Sequence, residues 1–153
     1  MQKEYREAKK NFNLSTQTLK VMRDIRSEID GAGGRGRQMI SAVDGSFCNK
    51  TIFKADSDRT VLIARCRKDA KLCRAAGPGG RRKYSSEKFT PEKVRKDSAF
   101  PWKQAKIWFG GKARKIRFKE VKNVLWQRGA GLKLLRLLVI APQPCKLSPN
   151  AKT

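Results

Sequence analysis

Histidine is missing from all 153 residues. That absence excludes Ser–His and Cys–His nucleophile schemes and any metal site built on imidazole. Acidic side chains are scarce: 13 Asp and Glu stand against 37 Lys and Arg, a formal net charge of +24. No apolar run approaches the roughly 20 residues of a membrane-spanning helix, and the longest, Leu134 to Ala141, is broken by Arg136. Met1-Gln2-Lys3-Glu4-Tyr5 lacks the apolar stretch of a secretory signal, so a cytoplasmic setting is expected. Cysteine is limited to Cys48, Cys66, Cys73 and Cys145, with no C-x-x-C pair. Four free thiols in a reducing compartment is the expectation, and a zinc site is not.

What is present can still build a core. Hydrophobic residues make up 39%, with 7 Phe and 3 Trp, which argues against a disordered chain. The length suits one domain, or one domain with an extension. The charge is uneven. Residues 1–58 carry 11 basic and 8 acidic residues, whereas nothing acidic follows Glu120. A field of one sign over the second part, with aromatics interleaved, points to a polyanion, most simply nucleic acid. No membrane partner is expected, because no basic amphipathic helix stands out.

Residues 1–13 read as a tail or frayed helix. Ser15 or Thr16 is the expected cap of a helix whose buried stripe is Leu19, Met22, Ile25 and Ile29. Gly31 should end it, and the glycine cluster through Gly36 reads as a flexible connection. That cluster lacks the G-x-x-x-x-G-K-[ST] pattern and follows a helix, so it is not read as a phosphate loop. Met39 to Val43 reads as a short buried strand, Thr51-Ile52-Phe53 as a short extended piece, and residues 60–67 as a strand covered on both faces. Residues 14–74 therefore form an α/β unit. The Gly/Pro-rich stretch from Ala75 to Arg82 opens a basic segment, 75–153. There Thr90 and Pro91 start a helix, and Lys106 to Phe109, Gly110-Gly111 and Arg114 to Lys119 form a hairpin near 106–120. In its second arm Ile116 and Phe118 alternate with Lys115, Arg117 and Lys119, which predicts a buried apolar face and an exposed cationic one. Val121 to Trp126 extends this arm, a turn follows at 128–131, and a last strand runs from Leu134 to Ala141. Arg81, Arg82, Lys83, Lys112, Arg114, Lys115, Arg117 and Lys119 are the DNA-binding candidates.

Asp44 ends the first strand. A carboxylate at the C-terminal end of a strand in an α/β sheet can hold a divalent cation, but Asp-Gly after a strand is also a plain turn signal. Ile40 to Asn49, Leu62 to Ala70, Phe89 to Arg95, Phe109 to Val121 and Leu137 to Pro142, in that order, resemble a bacterial DDE transposase of the insertion-sequence-four-like group. The resemblance runs from about Leu14 to the last strand. It implies an α/β fold, a partial RNase H-like core followed by a β-rich basic insertion. It further implies Mg²⁺ held by two Asp and one Glu, DNA cleavage and strand transfer as the parent activity, transposon ends and target DNA as partners, and a bacterial, nucleoid-associated location. Asp44 resembles the second Asp and would be the catalytic and metal-binding residue. No upstream Asp partner is visible in residues 1–38, no Glu is available beyond the β-rich segment because nothing acidic follows Glu120, and the family's Y…R…E…K helix is missing. The chain thus reads as an internal piece of a longer transposase, inactive alone. The competing readings are a stand-alone basic nucleic-acid-binding protein and a small complete nuclease, the last opposed by the lack of converging carboxylates.

Overall fold

The computed structural model describes residues 2–142. Among them it contains four α-helices and seven strands, a mixed α/β arrangement in two compact units. The first unit holds residues up to 67 and 125–133; the second holds 68–124 and the last strand from 134. The second unit thus begins earlier than the composition shift at 75. The expected boundary also misses the return of 125–133 to the first unit.

In the first unit, residues 2–11 form a full helix, α1 (Gln2–Asn11), and α2 runs from Leu14 to Ile29. The α2 cap is Asn13, two positions ahead of the nearer expected residue; its side chain accepts from the Ser15 N–H at 2.9 Å. The buried stripe is Ser15, Leu19, Met22 and Arg26, while Ile25 is exposed. Arg26 displaces Ile25 because its guanidinium organises the segment that follows. It donates to the carbonyls of Gly34 and Arg37 and pairs with Asp30. Arg59 closes the other side, donating to Asp30 at 2.7 Å and to the Arg35 carbonyl. The glycine cluster is therefore a fixed turn over Asp30–Gly34. A side chain at Gly34 would meet Ile29 at 2.5 Å.

Strand β1 (Met39–Val43) pairs in parallel with β2 (Thr60–Ala64), Met39 opposite Thr60 and Val43 opposite Ala64. Neither strand is covered on both faces. Both alternate, and Ile40 (67% exposed) and Ile63 (53%) share the open face with Ala42 and Val61. Residues 51–53 are not extended: they lie in the short helix α3 (Lys50–Lys54), capped by Asn49, whose side chain accepts from Thr51 and Ile52 N–H groups. That helix buries Ile52 almost completely. Phe53 meets Trp126 edge to face at 5.6 Å. A Cβ at Gly129 would collide with the Trp126 ring, so the turn there requires glycine.

In the second unit, β3 (Leu72–Ala75) and β4 (Tyr84–Phe89) form an antiparallel pair that periodicity did not reveal. Helix α4 (Pro91–Lys96) starts as expected, with Thr90 accepting from the Lys93 N–H at 3.1 Å. The strands β5 (Lys103–Phe109), β6 (Lys112–Val124) and β7 (Leu135–Pro142) make one antiparallel sheet in that order. Cys73, Val94, Val121 and Val124 are the most buried small apolar residues of this unit. Cys48 and Cys66 are free thiols and Cys73 is buried; Cys145 lies outside the described residues.

Candidate nucleic-acid interface

The β5–β6 hairpin turns on Gly110 and Gly111, both at positive φ (61° and 73°). A two-residue turn with both central residues left-handed matches the twist of paired strands, and only glycine enters it without steric cost. The register places Phe109 opposite Lys112, Ile107 opposite Arg114 and Lys106 opposite Lys115. Alternation then assigns Ile107, Phe109, Lys112 and Arg114 to one face, and Lys106, Trp108, Ala113 and Lys115 to the other. Every residue from 106 to 115 is exposed. Trp108 is 75% exposed and Phe109 67%. Arg114 lies over the Phe109 ring at 5.8 Å and donates to the Phe109 carbonyl at 3.1 Å.

Closer to the core the sidedness of β6 is the reverse of the expectation. Lys119 is 2% exposed. Its ammonium donates to the Asp97 carbonyl at 2.6 Å and sits 4.8 Å from the Trp102 ring centre. Arg117 is half-buried and lies over the same ring at 4.5 Å. Lys119 shares its face with Val121 and, across the register, with Val139 and Leu137. The opposite face, carrying Ile116 and Phe118, has Leu138 and Ile140 exposed. Lys119 is therefore removed from the surface candidates. Trp102 decides the reversal: its ring gives two cations an electron-rich partner on the inner face. Nothing in the local alternation carried that signal. Lys112, Arg114 and Lys115 keep their exposed positions, and Arg81, Arg82 and Lys83 are exposed in the loop between β3 and β4.

Glu120 is the single acidic residue of the three-stranded sheet. It accepts from Lys103 at 2.9 Å and lies 2.6 Å from Arg136, on the face of Phe118. The hydrogen bond from Lys103, with Arg136 adding its charge, holds its carboxyl below the ordinary range. Its charge is thus neutralised inside the sheet, and the exposed hairpin carries cations alone. This trio lies in the register of three strands, which sequence spacing does not display.

Asp44 belongs to the first unit. It ends β1, in extended conformation, and caps a short turn over Gly45–Phe47. Its carboxylate accepts from the Gly45 N–H at 2.6 Å and from the Ser46 hydroxyl at 3.3 Å. The turn lies tight against β2: a Cβ at Gly45 would sit 3.2 Å from the Arg65 carbonyl. Among the described residues no three His, Cys, Asp or Glu gather where they could hold an ion. Asp56 pairs with Lys133 and Asp58 with Arg59. The residues present do not fit a site for Mg²⁺, because one exposed carboxylate engaged in a turn supplies too few oxygen ligands. A cavity of about 730 Å³ in this unit is lined instead by Met22, Arg26, Asp30, Asp58 and Arg59, among others. Burial would raise the carboxyl of Asp30 there, but hydrogen bonds and charge from Arg26 and Arg59 outweigh it and lower it overall. Cys48, near the turn, has its thiol pushed up to about 11 by burial and by the neighbouring Cys66, so it is no ready nucleophile.

No protein-family model matches the chain, and no curated protein or solved structure matches it. Among the described residues no helix is long and apolar enough to cross a membrane.

Proposed function

We propose that this chain is the Asp44-bearing, DNA-binding part of a DDE-type transposase, and that by itself it binds duplex DNA without cutting it. The observation that carries the binding is the β5–β6 ribbon, exposed throughout 106–115 with Lys106, Lys112, Arg114 and Lys115 and no acidic neighbour in the segment. Such a strip neutralises phosphates and releases condensed counterions, so affinity falls with salt at a log–log slope near −0.9 per phosphate contacted. The transposase lineage is supported by the ordered sequence resemblance and by Asp44 ending a parallel strand. The open apolar face around Ile40 and Ile63 also supports it: parallel strands are ordinarily covered on both faces, so this pair suits a larger sheet.

Fluorescence anisotropy of a labelled duplex, titrated across salt concentrations, tests the binding. Affinity should drop steeply with salt. Affinity that stays level defeats the reading, and so does equal binding by Lys112→Glu/Arg114→Glu/Lys115→Glu. Lys119 must be left out of that variant because it is a core residue. Nicking by the chain alone with added Mg²⁺, lost on Asp44→Ala, would overturn the claim that it does not cut.

The capping role of Asp44 favours a second reading, a basic nucleic-acid-binding protein with no catalytic ancestry, in which Asp44 is simply the residue that starts a turn. Appending the genomically adjacent reading frame separates the two. If a Glu-bearing flank restores end-specific nicking that Asp44→Asn abolishes, the first reading holds; a flank with no such effect favours the second.

A further inference from the structure

The way the ribbon meets DNA is written in its two-sidedness. A sheet that presents one face to nucleic acid leaves the other against its core. The end of this hairpin does neither, since residues 106–115 are exposed on both faces. Cations occupy both: Lys106 and Lys115 form one cross-strand pair, and Lys112 and Arg114 lie on the opposite face. The adjacent aromatics Trp108 and Phe109 project to opposite sides at the tip, next to the Gly110-Gly111 turn. Two paired strands lie about 4.8 Å apart. With side chains on both faces they match a groove about 12 Å wide and are too bulky for one of about 6 Å.

We propose that residues 106–115 enter the major groove of duplex DNA as a two-stranded ribbon. This rests on the duplex-binding reading above and adds its geometry. Lys106 and Lys115 face one phosphate wall, and Lys112 and Arg114 face the other. Like charge on both sides centres the ribbon, because each wall attracts the cations nearest to it. Trp108 and Phe109 lead into the groove, where the base edges offer apolar contact through thymine methyl groups. The side chains of Lys and Arg also tolerate the exposed rings beside them, as the Arg114–Phe109 stacking already shows.

Dimethyl sulfate footprinting of the unaltered chain on a short mixed-sequence duplex tests this without relying on a variant. The reagent reaches guanine N7 in the major groove and adenine N3 in the minor groove. The expected result is protection of N7 alone, with binding unchanged by netropsin, which occupies the minor groove. The paired variants Lys106→Glu/Lys115→Glu and Lys112→Glu/Arg114→Glu should each weaken binding at least tenfold. Each should also lower the salt slope by about 1.8, the value for two phosphates, with circular dichroism unchanged. Trp108→Ala/Phe109→Ala should weaken binding several-fold while leaving the salt slope unchanged. Salt-dependent binding with protection of adenine N3 and displacement by netropsin overturns the groove assignment while the duplex-binding reading stands. A loss confined to one cation pair overturns the two-walled placement alone. No salt-dependent binding to DNA overturns both readings, as does attachment of the ribbon to phosphatidylserine vesicles in its place.

Discussion

The parallel pair β1–β2 and the antiparallel sheet β5–β6–β7 both draw on branched apolar residues, yet they are completed differently. The two-residue Gly110-Gly111 turn joins β5 to β6, and β7 follows after residues 125–134, so the three strands meet within a few dozen residues and bury Val121, Val124 and Leu137. Parallel neighbours need a crossover. The one between β1 and β2 contributes a single turn and α3, which buries Ile52 but leaves Ile40, Val61 and Ile63 open. Local connectivity lets one sheet reach a usable core from nearby sequence, whereas a parallel sheet depends on more chain to cover it.

The largest expected effect strikes the better-finished region. Lys119→Glu would set a buried carboxylate against the Asp97 carbonyl and should destabilise the second unit by about 3–5 kcal/mol. Lys119→Met keeps the stem and should stay much closer to the parent, while an exposed Lys115→Glu should scarcely change stability. Urea denaturation followed by fluorescence would separate them, and equal losses for Lys119→Glu and Lys115→Glu would contradict the burial of Lys119.

In the first unit, Ile52→Ala should cost about 2–4 kcal/mol through the cavity it leaves. Hydrogen exchange sharpens the comparison further. Amides of β1 and β2 should exchange faster than those of β6, because the parallel pair has only two strands and an open apolar face. Slower exchange in β1 than in β6 would reverse the ranking.

Asp44→Ala should cost about 1 kcal/mol, the usual loss when a capping oxygen is removed. A thermal melt of the variant is sufficient to read it, and unchanged stability would argue that the cap is idle.

Acid should have the smallest effect, because neighbouring cations keep the carboxyls concerned ionised well into the acid range. The bidentate hydrogen bond from Arg95, with help from Lys96, holds Glu92 down to about 2 from its ordinary 4.5. Glu120 is lowered by Lys103 and Arg136. Folded carboxyls with depressed pKa values bind protons less readily than unfolded ones. Their stabilisation is therefore complete above about pH 4.5 and lost as pH falls toward about 2. A denaturation midpoint that stays constant across that window would argue against these pairs.

Some of this was legible residue by residue. The Gly110-Gly111 turn, the Thr90-Pro91 helix start, and strands at 39–43, 60–64 and 135–142 follow from local rules that act over two to six residues. The extended reading of 51–53 failed because Asn49 caps a helix there, and an N-cap two residues upstream outweighs the β-preference of Thr-Ile-Phe. Strands β3 and β4 were hidden because Tyr84 to Phe89 is largely polar and pairs through its backbone. At the candidate interface, the exposed cations Lys112, Arg114 and Lys115 were visible in the charge pattern, and Lys119 was misplaced by it.

The sequence by itself determined the excess of positive charge, the lack of imidazole chemistry, the hairpin with its obligatory glycines and the strand that ends at Asp44. These depend on composition and on interactions between near neighbours. Only the tertiary structure decided which face of β6 is inside, because that turns on Trp102 meeting Arg117 and Lys119 from another strand end. It also decided that Glu120 is neutralised by Lys103 and Arg136, and that Asp44 caps a turn without other carboxylates gathered around it among the described residues. Alternation in a strand fixes that two faces differ, but what packs against each is set by residues far away in the chain.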